Sequence, residues 1–281
     1  MNKYHLQAIF ANIIWGSLPI YFYLIGEYPP LFLLSIQIVS TFLVLLIFTS
    51  VVKSKGIALR RLSMSLVPSI LLTINWGGYA IAVKSGYVIE ASYAYLILPI
   101  LLLSMSLLLG NENDLNKKIC VFMSLFIIAV ECYINGIFPI VGFMIAAPFA
   151  GYILWHSKYN QHPIESLLHE TFLMLPLGIG LYFYIGIGDI KQVSTAGIFG
   201  LLIFGFITVF PLVLFVNSSQ KVSFNILSLY QFISPVLGMT IAIYLYGQTF
   251  EAHTVVSYSA LIFVLIVYNL TNLKGKIYEP S

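Results

Sequence analysis

Charge is scarce in this chain. Only 8% of its 281 residues are Asp, Glu, Lys or Arg, and 60% are hydrophobic. A soluble protein carries about 25% charged residues. So few charges cannot build a water-facing surface, so the surface must face lipid. Cysteine is as sparse: Cys120 and Cys132 share one apolar block, twelve positions apart. That is about 18 Å along a helix, beyond disulfide reach, so no disulfide is expected. Catalytic patterns are missing too. The chain has no H-E-x-x-H, no G-x-S-x-G and no P-loop. Without a nucleotide site it cannot pump on its own, and without a mid-span carboxylate pair it is no intramembrane protease. His156, His162 and His169 follow at spacings of six and seven, on no common helical face, so neither a metal site nor a cofactor is expected. No basic patch is interleaved with aromatics, which excludes nucleic acid as a partner despite the net charge of +3.

What is present is a series of apolar blocks of membrane-spanning length. Ten can be cut, at 4–25, 30–52, 62–83, 89–109, 117–134, 138–156, 167–186, 193–216, 223–246 and 251–271. Short turns such as Gly26-Glu27-Tyr28-Pro29-Pro30, Asn111-Glu112-Asn113-Asp114 and Asn135-Gly136 force neighbouring helices to run antiparallel. Positive charge alternates between the gaps. With a cytoplasmic N-terminus, Lys3, Lys53, Lys55, Arg60, Arg61, Lys117, Lys118, Lys158, Lys221, Lys274 and Lys276 fall on one side, and only Lys84 and Lys191 on the other. This positive-inside bias fixes span number and orientation, because an odd count would scramble it. The first block has little more than Lys3 and His5 at its start and lacks a clean small-residue cleavage site. It reads as a retained helix, not a signal peptide. The expected fold is all-α: a polytopic membrane protein of ten helices with both termini cytoplasmic and no soluble module.

The five-block pattern recurs. At an offset of 136, Pro99 matches Pro235, in Tyr95-Leu96-Ile97-Leu98-Pro99 and Gln231-Phe232-Ile233-Ser234-Pro235. Interior prolines pair in blocks 1 and 6 (Pro19, Pro148), 3 and 8 (Pro68, Pro211), and 4 and 9 (Pro99, Pro235). Pro176 in block 7 has no mate. Each half, 1–134 and 135–281, holds an odd number of spans, so the halves enter the membrane from opposite sides. They form an inverted repeat, as in alternating-access carriers. Proline loosens helical backbone, which lipid tolerates only where it faces protein or a wet cavity. Blocks 1, 3, 4, 6, 8 and 9 are therefore expected around the centre, with blocks 5 and 10 straight and peripheral. Pro99 and Pro235 are the candidate hinges.

The polar groups expected at mid-membrane are neutral: Asn12, Gln37, Asn75, Tyr95 and Gln231, beside Trp15, Trp76, Tyr79, Tyr93, Trp155 and Tyr230. Amides and aromatic rings suit a small neutral, aromatic or amphipathic solute, or an organic cation held by cation–π attraction. They do not suit a polyanion. Trp15, Asn75, Trp76, Tyr79, Tyr95 and Gln231 are the candidate path residues, with helix-packing glue as the rival role for the amides. Glu90, Glu131 and Glu170 sit near span ends, where a carboxylate costs little and can snorkel. Glu90 and Glu170 are candidates for gating or proton coupling, with a structural role as the alternative.

Several of these runs carry a family resemblance. Trp15-Gly16-Ser17-Leu18-Pro19, Asn75-Trp76-Gly77-Gly78-Tyr79, Glu90-Ala91-Ser92-Tyr93-Ala94-Tyr95 with Pro99, His169-Glu170-Thr171 with Leu175-Pro176, Pro211-Leu212-Val213-Leu214-Phe215, and Leu229-Tyr230-Gln231-Phe232-Ile233-Ser234-Pro235 resemble the RarD-type branch of the EamA drug/metabolite transporters, in order along nearly the whole chain. The resemblance implies a ten-helix carrier of the bacterial inner membrane, built of inverted five-helix halves. Its solute path would run through the central helices near Trp15, Asn75, Trp76, Glu90, Tyr95, Glu170 and Gln231. The chain departs from that family in three places: one extra residue in Gly110-Asn111-Glu112, no acid after Gly247, and Lys84 where relatives often carry Asn.

The expected function is secondary transport of a small organic solute by alternating access, with export favoured on the resemblance alone. A channel, a non-transporting sensor or scaffold and, more remotely, an intramembrane enzyme are the rivals. Expected partners are the solute and membrane lipid, and a homodimer stays open.

Overall fold

Helix is the only regular structure among the described residues, as lipid demands of a chain that must satisfy its backbone internally. The computed structural model describes residues 3–51, 57–109, 114–135, 139–159, 163–185, 195–219, 221–222 and 224–277. The expected loop charges Lys53, Lys55 and Lys191, the turn at 110–113, Gly136 and His162 lie outside them.

The helices are α1 (Lys3–Gly16), α2 (Leu18–Leu24), α3 (Pro30–Val51), α4 (Leu59–Lys84), α5 (Val88–Leu109), α6 (Leu115–Asn135), α7 (Ile140–Tyr159), α8 (Pro163–Ile185), α9 (Thr195–Ser219), α10 (Phe224–Gln231), α11 (Ile233–Tyr244) and α12 (Ala252–Ile277). Only Ser17 separates α1 from α2, and only Phe232 separates α10 from α11, so each pair is one interrupted rod. That leaves ten rods among the described residues, one for each apolar block read from the sequence. Their ends differ by a few residues, most at α12, which runs on to Ile277. Among the described residues, five stretches are long and apolar enough to cross a bilayer: Pro30–Ser50, Arg61–Lys84, Val88–Leu108, Ile164–Ile185 and Ala252–Thr271. Shorter apolar helices follow at Ile140–His156, Gly200–Phe215 and Leu229–Tyr244. The chain is a polytopic helical membrane protein.

Both breaks lie just ahead of a proline. Pro19 sits two residues past Ser17, and Pro235 three past Phe232. A proline has no N–H to give the preceding turn. Other groups hold the loosened segments: Ser17 Oγ donates to the Ile13 carbonyl at 2.7 Å, and Tyr246 Oη to the Pro19 carbonyl at 2.8 Å. Helix α5, in contrast, continues unbroken through Pro99.

Contacts between rods follow a pattern. α3 packs on α8, α9 and α4; α4 on α7 and α8; α5 on α7 and α11; α1 on α9 and α11; α6 on α12. If each rod is exchanged for the one five places along, α1–α9 becomes α7–α4 and α3–α9 becomes α8–α4. α5–α7 becomes α11–α1, while α3–α8, α5–α11 and α6–α12 map onto themselves.

Between helices in lipid, close packing replaces the hydrophobic drive, so small residues mark the tightest crossings. A Cβ on Gly205 of α9 would overlap the main chain of Ser40 on α3. One on Gly16 would lie 2.9 Å from the Ser234 carbonyl oxygen, and one on Gly238 would strike Ser92 Oγ. These glycines let α3 meet α9, and let α1 and α5 meet α11, at backbone distance.

Connections on the side where α2 and α4 end and α5 begins are stapled by polar groups. Gly86, at φ 83°, ends α4 in a Schellman turn: its N–H donates to Val83 O, and Tyr87 N–H to Ala82 O at 2.8 Å. Lys84 Nζ reaches the carbonyls of Phe22 (2.7 Å) and Gly26 (2.5 Å). A cation thus caps the C-terminal end of α2. Gln248, standing where the related pattern carries an acid, accepts from Ile89 N–H at 3.0 Å and donates to the Gly86 carbonyl. It ties the segment after α11 to the start of α5.

Candidate functional site

The rods enclose a cavity of about 390 Å³. All six candidate path residues line it: Trp15 from α1, Asn75, Trp76 and Tyr79 from α4, Tyr95 from α5, and Gln231 from the end of α10. Asn12 and Gln37, also expected at mid-membrane, join them. No described residue of α6 or α12 contributes, and these two rods pack on each other. The reading from proline placement needs one correction. α3 and α8 line the cavity too, through Gln37, Ser166 and Leu167. They reach the centre through close packing: Gly178 of α8 lies against Ile38 of α3, and Gly205 brings α9 onto α3.

The cavity is lopsided along the helix axes. Toward the end where α1 begins, its lining runs to His156, one turn from the end of α7, and to Ser166, one turn into α8. Toward the other end it stops at Phe22, Tyr79, Tyr95 and Phe204. There the rings pack on one another. Tyr21 and Phe204 have centroids 4.7 Å apart, Phe22 and Phe204 5.8 Å, Phe22 and Tyr79 5.8 Å, and Tyr79 and Tyr95 6.2 Å. Phe22, Tyr79 and Phe204 are buried. This aromatic plug closes one end of the cavity.

The lining is mostly apolar and aromatic, with a few amide and hydroxyl groups among the rings. Among the described residues that line it there is no lysine, arginine, aspartate or glutamate, and His156 is the one imidazole. Several polar groups also serve packing. Asn75 Nδ2 donates to the Ile145 carbonyl of α7 at 2.9 Å. Ser234 Oγ donates to the Asn12 carbonyl at 2.8 Å and lies 3.2 Å from Asn12 Oδ1. Gln37 Nε2 lies 3.4 Å from Thr208 Oγ1. The amides therefore do both things open to them: they face the cavity and they join helices.

The carboxylates depart from expectation. Glu170 does not snorkel: it is 0% exposed. Its Oε2 accepts from Tyr152 Oη at 3.1 Å, and its Oε1 lies 2.9 Å from His156 Nε2. Tyr152 and His156 sit one turn apart on α7, their rings 4.5 Å apart, and both line the cavity. Glu131 is buried as well, accepting from Thr254 at 2.8 Å and from Ser257. It serves the α6–α12 pair, away from the cavity. A carboxylate withdrawn from water needs donors; α12 supplies two to Glu131, whereas α7 supplies one to Glu170, through Tyr152, and leaves its Oε1 without a hydrogen bond. Glu90, in the first turn of α5, is half-buried and does not line the cavity. His169, beside Glu170, is a packing residue. Its Nδ1 lies 2.6 Å from the Glu165 carbonyl and its Nε2 accepts from Ala58 N–H at 2.9 Å. With one nitrogen donating and the other accepting, the ring is neutral.

Sequence reasoning missed Tyr152 and His156 as a pair. The signal was present in their i, i+4 spacing on an apolar helix, but nothing in the sequence places Glu170 opposite.

A polytopic helical bundle with a central amide- and aromatic-lined cavity is the class the fold and the site define. Known proteins resemble the chain over nearly its full length. It is 26% identical to the uncharacterized transporter YojE of Bacillus subtilis, over 94% of this chain and 92% of that protein. It is 24% identical to the protein RarD of Escherichia coli, over 94% and 92%, and 25% identical to an uncharacterized transporter of Vibrio cholerae, over 96% and 93%. No protein-family model matches. One crystal structure superposes with a TM-score of 0.66 over 96% of this chain and 99% of its own, at 12% identity. That likeness concerns the fold alone.

Proposed function

We propose that the protein is a secondary transporter that carries a small organic solute, neutral or cationic, through the central cavity by alternating access. The observation that carries this reading is the cavity's asymmetry: its lining runs out toward one end of the bundle, and packed aromatic rings close the other. Relatives named as transporters and the missing catalytic patterns agree with it. The pairing of rods that maps onto itself under a five-rod shift supports two inverted five-helix halves, 1–134 and 135–281, and ten membrane crossings. The distribution of lysine and arginine supports a bacterial cytoplasmic membrane location with both termini inside. In that orientation the cavity faces the cytoplasm, which suits loading for export.

In this reading Trp15, Asn75, Trp76, Tyr79, Tyr95 and Gln231 contact the solute. The break at Phe232 before Pro235 is one flexing point and Pro99 within α5 is another, with Ser17 before Pro19 as a third. Glu170 has the contacts expected of a coupling group. Glu90 guards the start of α5 at the plugged end.

Uptake by proteoliposomes of small aromatic, amino-acid-like and amine solutes, with and without an imposed pH gradient, tests the proposal. Saturable, vectorial uptake that Trp76→Ala and Tyr95→Ala abolish is the expected result. Conductance without saturation would mean a channel, and binding without movement a sensor.

A further inference from the structure

We infer that the cavity binds a monovalent organic cation in exchange for one proton, and that His156 backed by Glu170 is the exchange site. This inference rests on the transport reading and assigns its substrate class.

Charge balance at the buried carboxylate decides this. Among the described residues, Glu170 is the acid whose contacts reach the cavity wall, through Tyr152 and His156, and no lysine or arginine among them pairs with it. A lone buried negative charge is costly, so the pocket holds one compensating positive charge. Two sources are available. The first is a proton on His156, whose Nε2 already faces Glu170 Oε1 at 2.9 Å. Neither Nε2 nor Oε1 makes a hydrogen bond, so the two are paired by charge alone, and the exchangeable proton is the one the imidazole gains. The second is the charged head of a solute against the Tyr152 ring, within the field of Glu170, with its body among the aromatic rings of the cavity. Both charges together would leave the site with a net positive charge in a low dielectric, so each excludes the other.

Neighbouring charges leave this balance intact. From α4, Arg61 is held by Glu165 of α8 at 3.0 Å. On α8, His169 is neutral by its two hydrogen bonds. On α7, Lys158 sits beyond His156, over the Tyr159 ring. α3 and α9 present Gln37, Thr208, Leu212 and Phe215 to the cavity, none of them charged.

The test uses purified full-length protein in detergent, with 2-phenylethylammonium as the cation and 2-phenylethanol as its uncharged analogue. Binding is followed by calorimetry, and proton release by an indicator dye in weak buffer. Wild type should release one proton per cation bound, and its affinity for the cation should rise about tenfold per pH unit wherever the pair holds that proton. The alcohol should bind with no proton released and no dependence on pH. Glu170→Gln should lose cation affinity about tenfold or more along with the proton release, and still bind the alcohol, which certifies an intact cavity. His156→Gln should bind the cation at an affinity independent of pH. If wild type binds both molecules and releases no proton, the exchange is overturned and the solute-cavity reading stands. If it binds neither, both readings fall together.

Discussion

Ser234 Oγ donates to the main-chain carbonyl of Asn12 at 2.8 Å, and so links the two interrupted rods where they cross. Asn12 lies on α1 ahead of the break at Ser17, and Ser234 on α11 just past the break at Phe232. Gly16, against the Ser234 carbonyl, sets the separation. Ser234→Ala removes the donor and leaves a buried carbonyl without it. The expected loss is about 1 kcal/mol, read as a lower midpoint of thermal unfolding in detergent. An unchanged midpoint would mean that the link adds nothing to stability.

Gly205 makes a sharper demand. A methyl group there meets the Ser40 backbone, which cannot rotate away. Gly205→Ala should cost about 1–3 kcal/mol through overpacking. Gly180, with nothing near its Cβ position, should accept alanine without loss of stability, so the pair of melting curves separates crowding from helix propensity.

Lys84 Nζ holds two carbonyls at the end of α2. Lys84→Met keeps the stem and removes the cap, so the cost should be about 1–3 kcal/mol and the plugged end should loosen. Faster hydrogen exchange in residues 22–28 would report that loosening. Exchange there at the wild-type rate would place the hold elsewhere.

Alkaline pH offers a check on Tyr246. Burial of the ring, with smaller contributions from Tyr23 and Glu27, pushes its hydroxyl up to about 12, and the neutral form donates to Pro19 O. A folded-state value above the unfolded one, about 10, means the stabilisation is intact below pH 10 and is lost as pH rises toward 12. Wild type should lose melting temperature over that window, and Tyr246→Phe should lose less. Equal losses would contradict the assignment.

Much of the bundle was legible because lipid enforces a simple rule: charge at the ends, apolar residues between. That rule located each rod, and proline placement identified six of the eight that line the cavity. It passed over α3 and α8, which approach the centre through Gly178 and Gly205, and a contact across 171 positions, such as Gln37 to Thr208, leaves no periodic trace. The candidate amides and rings were legible because neutral polar groups have few tolerable places in a span. Glu170 was misjudged as a rim residue because depth along a helix says nothing about what faces it. Its partners Tyr152 and His156 come from the preceding helix, folded back on it. Pro99 shows the limit of reading helix breaks from sequence, since α5 continues through it as one helix.

The most direct measurement concerns access to the cavity from its two ends. In a background lacking Cys120 and Cys132, Thr208→Cys lines the cavity, and Phe22→Cys with Phe204→Cys can be cross-linked across the aromatic plug. In oriented vesicles, an impermeant maleimide should reach Thr208→Cys from either compartment during turnover. Once the plug is cross-linked, it should reach that cysteine only from the side where α1 begins, and transport should stop. Labelling that stays two-sided after cross-linking, with solute still crossing, would contradict a cavity open to one side at a time.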